Sequence, residues 1–487
     1  MTPRPAAALL LALLCCCASV ALGANRYVSP GGEDTGSCTD SKSPCRTINY
    51  CISRMSAGDT CNVADGNYTS TTDCSGMQSV ACVKSRNCTA GNPCTLRSEN
   101  LHGAMINAGA APIFINNSDH WKIEQFQVGD SASSTLDECV RASGGDGLEI
   151  TDVDCWHDDE LGQAVRLIFR NHDTVTVRKV SVRTIPSDQC VMENTSDREA
   201  IEIRGDDITI EDSRFEYGNQ IGNIRDYATN ITIRRNVFKN FWSHGLTIRD
   251  GASNILIENN IFGADPSSKC SSLWSSNTQS RGIDVYEASN LTIRNNTFVG
   301  HGYGWRVPFR NYNQDAQVAA GCTSDVCDNT NIKFYNNLLY DIKPTGGYIR
   351  WSNGAAVTVS NWKADGNLYN SGPDSWDCDD QGVSGFNNWQ ALKCFNSGSP
   401  DGRGTTAQPT FVDYGSEDYR PASASAAQVN SGLSGLDAEG LAYCASEDFN
   451  GNPRSGACDI GAFEFISGQS NPGPSRVWNV RRTDTRN

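Results

Sequence analysis

Three stretches of this chain say nearly the same thing: "GNIRDYATNITIRRNVF" from Gly222, "GLTIRDGASNILIENNIF" from Gly245 and "GIDVYEASNLTIRNNTF" from Gly282. Within each, apolar and polar residues alternate with a period of two, and Gly, Asn and Asp punctuate the runs, so each reads as strand and turn. Aligned on the residue preceding each alternating run, Asp207, Asn230, Asn254, Asn290 and Asn331 form one column, at spacings of 23, 24, 36 and 41. Weaker copies extend the column back through His120, Gly147 and Thr174 and forward to Ala356, about nine turns in all. A unit this short cannot bury its own apolar face, so it is stable only when stacked on copies of itself.

Two more columns support stacking. Six positions after each anchor stand Ser213, Asn236, Asn260, Asn296 and Asn337; eight after stand Phe215, Phe238, Phe262, Phe298 and Leu339. In a parallel coil such equivalents lie about 4.8 Å apart, close enough for amides to hydrogen-bond up the stack and rings to pile inside. Strands with no helix between them, on a period in the low twenties, exclude propeller blades and the leucine-rich horseshoe. The prediction is an all-β right-handed parallel β-helix, a solenoid.

An open coil needs plugs at its ends. "SPCRTINYCISRMSAGDTCNVADGNYT" reads as a short amphipathic helix and a first strand, which places a disulfide-rich N-terminal cap and first turn at 24–100. The β-helix is expected over 101–370, a C-terminal cap or annex over 371–465, and a disordered linker and basic tail over 466–487. Residues 1–23 have the charged, apolar and small-residue parts of a secretory signal peptide. Of the 21 Cys, three lie in that segment, and the even remainder, with no Cys-x-x-Cys pair and few His, predicts disulfides in an extracellular setting. No later run of about 18 apolar residues predicts a membrane span. A formal charge of −16 argues against nucleic acid and anionic membranes as partners. Asn-x-Ser/Thr sequons, from Asn67 to Asn295, make a glycoprotein plausible, and a monomer is expected.

Just before each anchor runs a strand whose Ile201, Ile203, Ile224, Leu246, Ile248, Ile283 and Val285 point inward by alternation. One outward column is then Glu202, Asn223, Thr247 and Asp284; the next is Arg204, Arg225, Arg249 and Tyr286, followed by Asp226, Asp250 and Glu287. Stacked arginines repel unless carboxylates or an anionic ligand offset them. Either the adjacent acids neutralise the ladder or it binds an anion. Inserted segments bring Trp274, Tyr303, Trp305 and Arg306 toward the strip, and aromatic rings beside charged groups suit a sugar chain. The cluster "CWHDDE" from Cys155 reads as a solvated loop or a divalent-ion chelate.

"RYVSPGGEDTGSC", "SPCRTINYCISRMSAGDT" and "DFNGNPRSGACDIGAFEF" resemble the opening and closing segments of secreted right-handed parallel β-helix proteins, a group rich in polysaccharide lyases. "GLTIRDG" is similar to a segment of chondroitinase B and alginate lyase type enzymes, in which the Arg is catalytic. That resemblance implies a catalytic Arg249, cleavage of a uronic-acid polymer by β-elimination, and calcium, for which Glu202 and Asn223 are the candidate ligands. It also implies a Lys base on the preceding turn, where this chain has Arg225. A guanidinium stays protonated, so Tyr286 or His244 is left to take the proton. Arg204, Asp284, Glu287, Trp305 and Arg306 are the candidate substrate contacts. The alternatives are a non-catalytic extracellular polysaccharide-binding, adhesin or cell-wall protein, and a β-helical glycoside hydrolase using Asp284 with Glu287 or Glu202.

Overall fold

A computed structural model describes residues 23–130, 138–157, 166–183, 199–263, 281–300, 307–312, 329–342, 349–352, 361–370, 376–378, 381–391 and 401–467. The chain winds as a right-handed parallel β-helix, each rung placing strands on three faces. One face is a sheet of twelve strands from Asn25–Val28 to Lys363–Asp365. Arg214–Ile224 and Val237–Ile248 are long enough to cross from the second face to the third. They bend at Tyr217 and Asn240, whose φ values are +57° and +59°.

The anchor column lies where the chain turns onto the twelve-stranded face. His120, Gly147, Thr174, Asp207, Asn230, Asn254, Asn290 and Asn331 all have positive φ, which Asn and Asp tolerate best among residues with a Cβ. Side-chain amides link the exposed edge: Asn290 donates to Asn254 at 3.0 Å and Asn331 to Asn290 at 2.9 Å. The next member is Asn361, with φ +57°, donating to Asn331 at 3.1 Å. The expected anchor Ala356 falls outside the described residues.

Inside, the two other columns stack as expected. Phe215, Phe238, Phe262 and Phe298 are cross-strand partners, with successive ring centroids 5.4, 4.9 and 4.8 Å apart, and Leu339 follows. The buried Asn236, Asn260, Asn296, Asn337 and Asn367 each donate to a main-chain carbonyl of the preceding rung. Their side-chain oxygens take the main-chain N–H of the member before. Buried turns thus keep their polar groups satisfied without water.

Both ends differ from the expectation. Strands Asn25–Val28, Thr60–Val63 and Cys94–Ser98 already belong to the twelve-stranded face, so the stretch 24–100 contributes three rungs rather than one. Close disulfides interrupt the alternation there, which hides the extra rungs. The expected helix is present as Ile48–Arg54, its Thr47 hydroxyl accepting from Tyr50 N at 3.2 Å. Cys51–Cys61 ties it to the coil, beside Cys38–Cys45, Cys74–Cys82 and Cys88–Cys94. At the other end Trp376 and Trp389 stack at 4.7 Å over Tyr369 and seal the core. Asp401 and Thr405 still pair with the last rung, Asp401 N–H donating to Ala364 O at 2.8 Å and Leu368 bridging Thr405 in parallel, and the stretch after them runs back along the side of the coil. Lys333 meets Asp437 at 2.8 Å, Arg294 donates to Ala442 O at 2.6 Å, and Asn259 to Glu447 O at 2.7 Å. No helix of the described residues is long and apolar enough to cross a membrane.

Candidate functional site

The third face carries the predicted columns. Strand register pairs Ile168 with Glu202, Glu202 with Asn223, Asn223 with Thr247, and Thr247 with Asp284. Their neighbours Ile201, Ile203, Ile224, Leu246, Ile248, Ile283 and Val285 are all in the core. Arg204 pairs with Arg170, and Arg225, Arg249 and Tyr286 each donate a main-chain N–H to the rung before, so the arginines stand one above another. Arg170 is a fourth member that the sequence reading missed; the alternation in "RLIFR" would have found it.

The outward carboxylate column is not open to solvent. Glu202 is 1 % exposed because guanidiniums close over it. Arg170 Nε lies 2.9 Å from Oε1 and Arg225 Nη2 3.4 Å from Oε2, and Arg204 Nε is paired with Oε1 as well. Arg204 also reaches Asp226 at 2.9 Å. Arg249 is engaged more loosely: its Nε stands 3.2 Å from Asn223 Oδ1 and 3.5 Å from Asp250. The arginine heads themselves are partly exposed. A sheet can hold like charges at strand spacing only with such compensation, and here a single buried carboxylate serves three of them.

This arrangement does not fit calcium at Glu202 and Asn223. Both Glu202 oxygens face guanidiniums, the Asn223 oxygen accepts from Arg249, and its amide donates to Glu199 at 2.7 Å. A dication would sit among cations, whereas calcium sites gather several carboxyl and carbonyl oxygens. Among the described residues no group of three or more His, Cys, Asp or Glu is placed to hold a metal ion.

One rung beyond Arg249 the chemistry changes. Asp284 is wholly buried and collects the two candidate bases on one oxygen: Tyr286 donates to Oδ2 at 2.7 Å, and His244 Nε2 lies 2.8 Å from it. Arg281 adds its Nε at 3.6 Å, and Ser243 Oγ approaches His244 Nδ1 at 2.7 Å. Tyr286 and His244 are therefore set by a shared carboxylate that alternation alone could not connect. Glu199, also missed, is buried beside Asn223, and burial pushes its carboxyl above the usual range. Burial raises Glu287 likewise, with the Asp250 charge adding to it. Trp305 and Arg306, with Trp274, Tyr303 and residues 158–160, lie outside the described residues.

Residues 155–372 match the family model for the right handed beta helix region. Among solved structures, pectate lyase Pel9A aligns over 92 % of this chain and 98 % of its own, at 15 % identity and a TM-score of 0.54. The PL6 family alginate lyase AlyGC aligns over 90 % of this chain and 58 % of its own, at 14 % identity and 0.44. PfbA, a surface adhesin of Streptococcus pneumoniae, aligns over 68 % and 86 %, at 12 % and 0.45. No curated protein matches by sequence. In fold, then, this chain is a right-handed parallel β-helix protein, similar in architecture to pectate lyase Pel9A.

Proposed function

We propose that this protein is a secreted, carbohydrate-active β-helix that binds an acidic polysaccharide along its third face and cleaves it by β-elimination. The observation that carries the reading is the run of Arg170, Arg204, Arg225 and Arg249 on consecutive rungs, ending beside Tyr286 and its Asp284. Arg249, the arginine least tied to carboxylates, meets the uronate carboxylate and lowers the pKa of the adjacent C–H, assisted by Arg225. Tyr286 stands one rung away, in the same outward column. Its phenolic oxygen takes the proton as its own passes to Asp284, which His244 and Arg281 hold in place. The bond to the leaving oxygen then breaks and a carbon–carbon double bond forms, while Tyr286 passes its proton to the leaving oxygen and recovers its own from Asp284. Arg204 lines the strip and Trp305 and Arg306 are proposed as further substrate contacts, whereas Asp284 and Glu287, expected among those contacts, are buried beneath its surface.

The test is ultraviolet absorbance of the unsaturated product after incubation with pectate, alginate or chondroitin sulfate, with and without calcium. Activity that Arg249→Ala lowers by at least 100-fold supports the reading. Binding without product would make the protein a non-catalytic scaffold, and new reducing ends without the absorbance would make it a hydrolase.

A further inference from the structure

Tyr227 combines features that surface packing alone does not require. It is 68 % exposed, the largest side chain among the strongly exposed apolar residues that the structure describes. Its φ is +64°, directly after Asp226 at +57°, so a bulky residue is held in a left-handed conformation that glycine would adopt without strain. Strain retained at an exposed position points to use of the side chain rather than to packing.

The ring is nevertheless fixed. Its Cδ1 and Cε1 lie 2.5 and 2.7 Å from where a Cβ on Gly251 would stand, so it rests against the glycine of the next rung and leaves its other side open. Tyr227 N donates to Asp250 O at 2.9 Å, which pins this turn to the following one. Arg225 precedes Tyr227 by two residues, and Arg249 precedes Gly251 by two. The ring therefore sits on the turn that follows the arginine-bearing strands, two residues past Arg225 and against a glycine two residues past Arg249, the arginine least tied to carboxylates.

We infer that Tyr227 is an aromatic platform on which one pyranose ring of a uronic-acid chain stacks while its carboxylate meets Arg225 or Arg249. The inference rests on the polyuronate reading above. An aromatic face offers an apolar surface to the sugar's C–H groups, and the neighbouring cations supply the charge-assisted hydrogen bonds that orient it. Charge complementarity selects an acidic sugar over a neutral one.

Calorimetric titration with size-defined oligogalacturonate and oligoalginate tests this on the full chain, with thermal melting in parallel. Tyr227→Phe is expected to bind within twofold of wild type, and Tyr227→Ala and Tyr227→Gly to bind about five- to twenty-fold more weakly. Tyr227→Gly is also expected to melt higher, since glycine relieves the left-handed backbone. Weaker binding together with higher stability is a pattern that a packing role would not give. If wild type binds and the Ala and Gly variants bind equally well, the platform is wrong while the polyuronate reading stands. If wild type binds neither oligomer nor a chondroitin sulfate oligosaccharide, both fail.

Discussion

Asn367 gives Asp401 its main-chain N–H at 3.3 Å and its side-chain N–H at 2.8 Å, so a ladder built of amides ends on a carboxylate. Burial is the main influence on that carboxyl and raises it to about 7, against partial relief from Asn367 and Tyr369. The folded protein therefore keeps a proton that the unfolded chain gives up near its ordinary value. Stability from this group is intact below about pH 4 and lost as pH rises toward 7. Asp401→Asn should remove that slope and stabilise the protein at pH 8 by up to roughly 4 kcal/mol. Urea unfolding of both proteins at pH 5 and pH 8 would show it; equal differences at the two pH values would contradict it.

The two asparagine ladders should differ in cost. Asn296 donates to Ile257 O, Arg294 O and Asn337 and accepts twice from Asn260, every bond but the one to Arg294 O fully buried. Asn296→Ala leaves several of these groups unpaired and should cost about 3 kcal/mol or more. Asn290→Ala breaks two exposed amide bonds and strains a left-handed residue, for about 1 kcal/mol. Chemical denaturation that ranked the two variants the other way would refute this account of the stack.

Phe262 has a ring above and below it at 4.9 and 4.8 Å. Phe262→Ala should cost about 3–5 kcal/mol, since the rungs on either side cannot close the cavity independently. Phe262→Leu should cost much less, because Leu339 already fills one place in the column. Melting temperatures of the pair measure the difference.

Glu202→Gln separates stability from binding. The variant leaves Arg170, Arg204 and Arg225 without their shared carboxylate, and should destabilise by about 3 kcal/mol or more. The same change makes the face more cationic, so affinity for a polyuronate should rise and become more sensitive to salt. Loss of both stability and affinity would mean instead that Glu202 touches the ligand.

The repeat was legible because stacking places the same demand on every rung: a left-handed turn asks for Asn or Asp, a buried corner for Asn, the core for Phe. Asn361 escaped notice because its strand, Lys363–Asp365, is only three residues long and follows an irregular spacing. The first rungs escaped because their disulfide loops break the period. At the site, alternation told which side chains point outward but not how long ones bend once there. The closure of Arg170 and Arg204 over Glu202, and the meeting of Tyr286 and His244 on Asp284, depend on side-chain reach along the stack. No sequence period records that reach.

The return of the C-terminal residues along the coil has a mechanical consequence. A bare solenoid can fray from its open end, one rung at a time, because each rung touches only its neighbours. Here a lengthwise seam ties Arg235, Asn259, Arg294, Lys333 and Asn336 to one continuous stretch between Leu433 and Glu447. Peeling the last rung means unpicking that seam, so the rungs from Arg235 to Asn336 should melt as one cooperative block rather than unravelling.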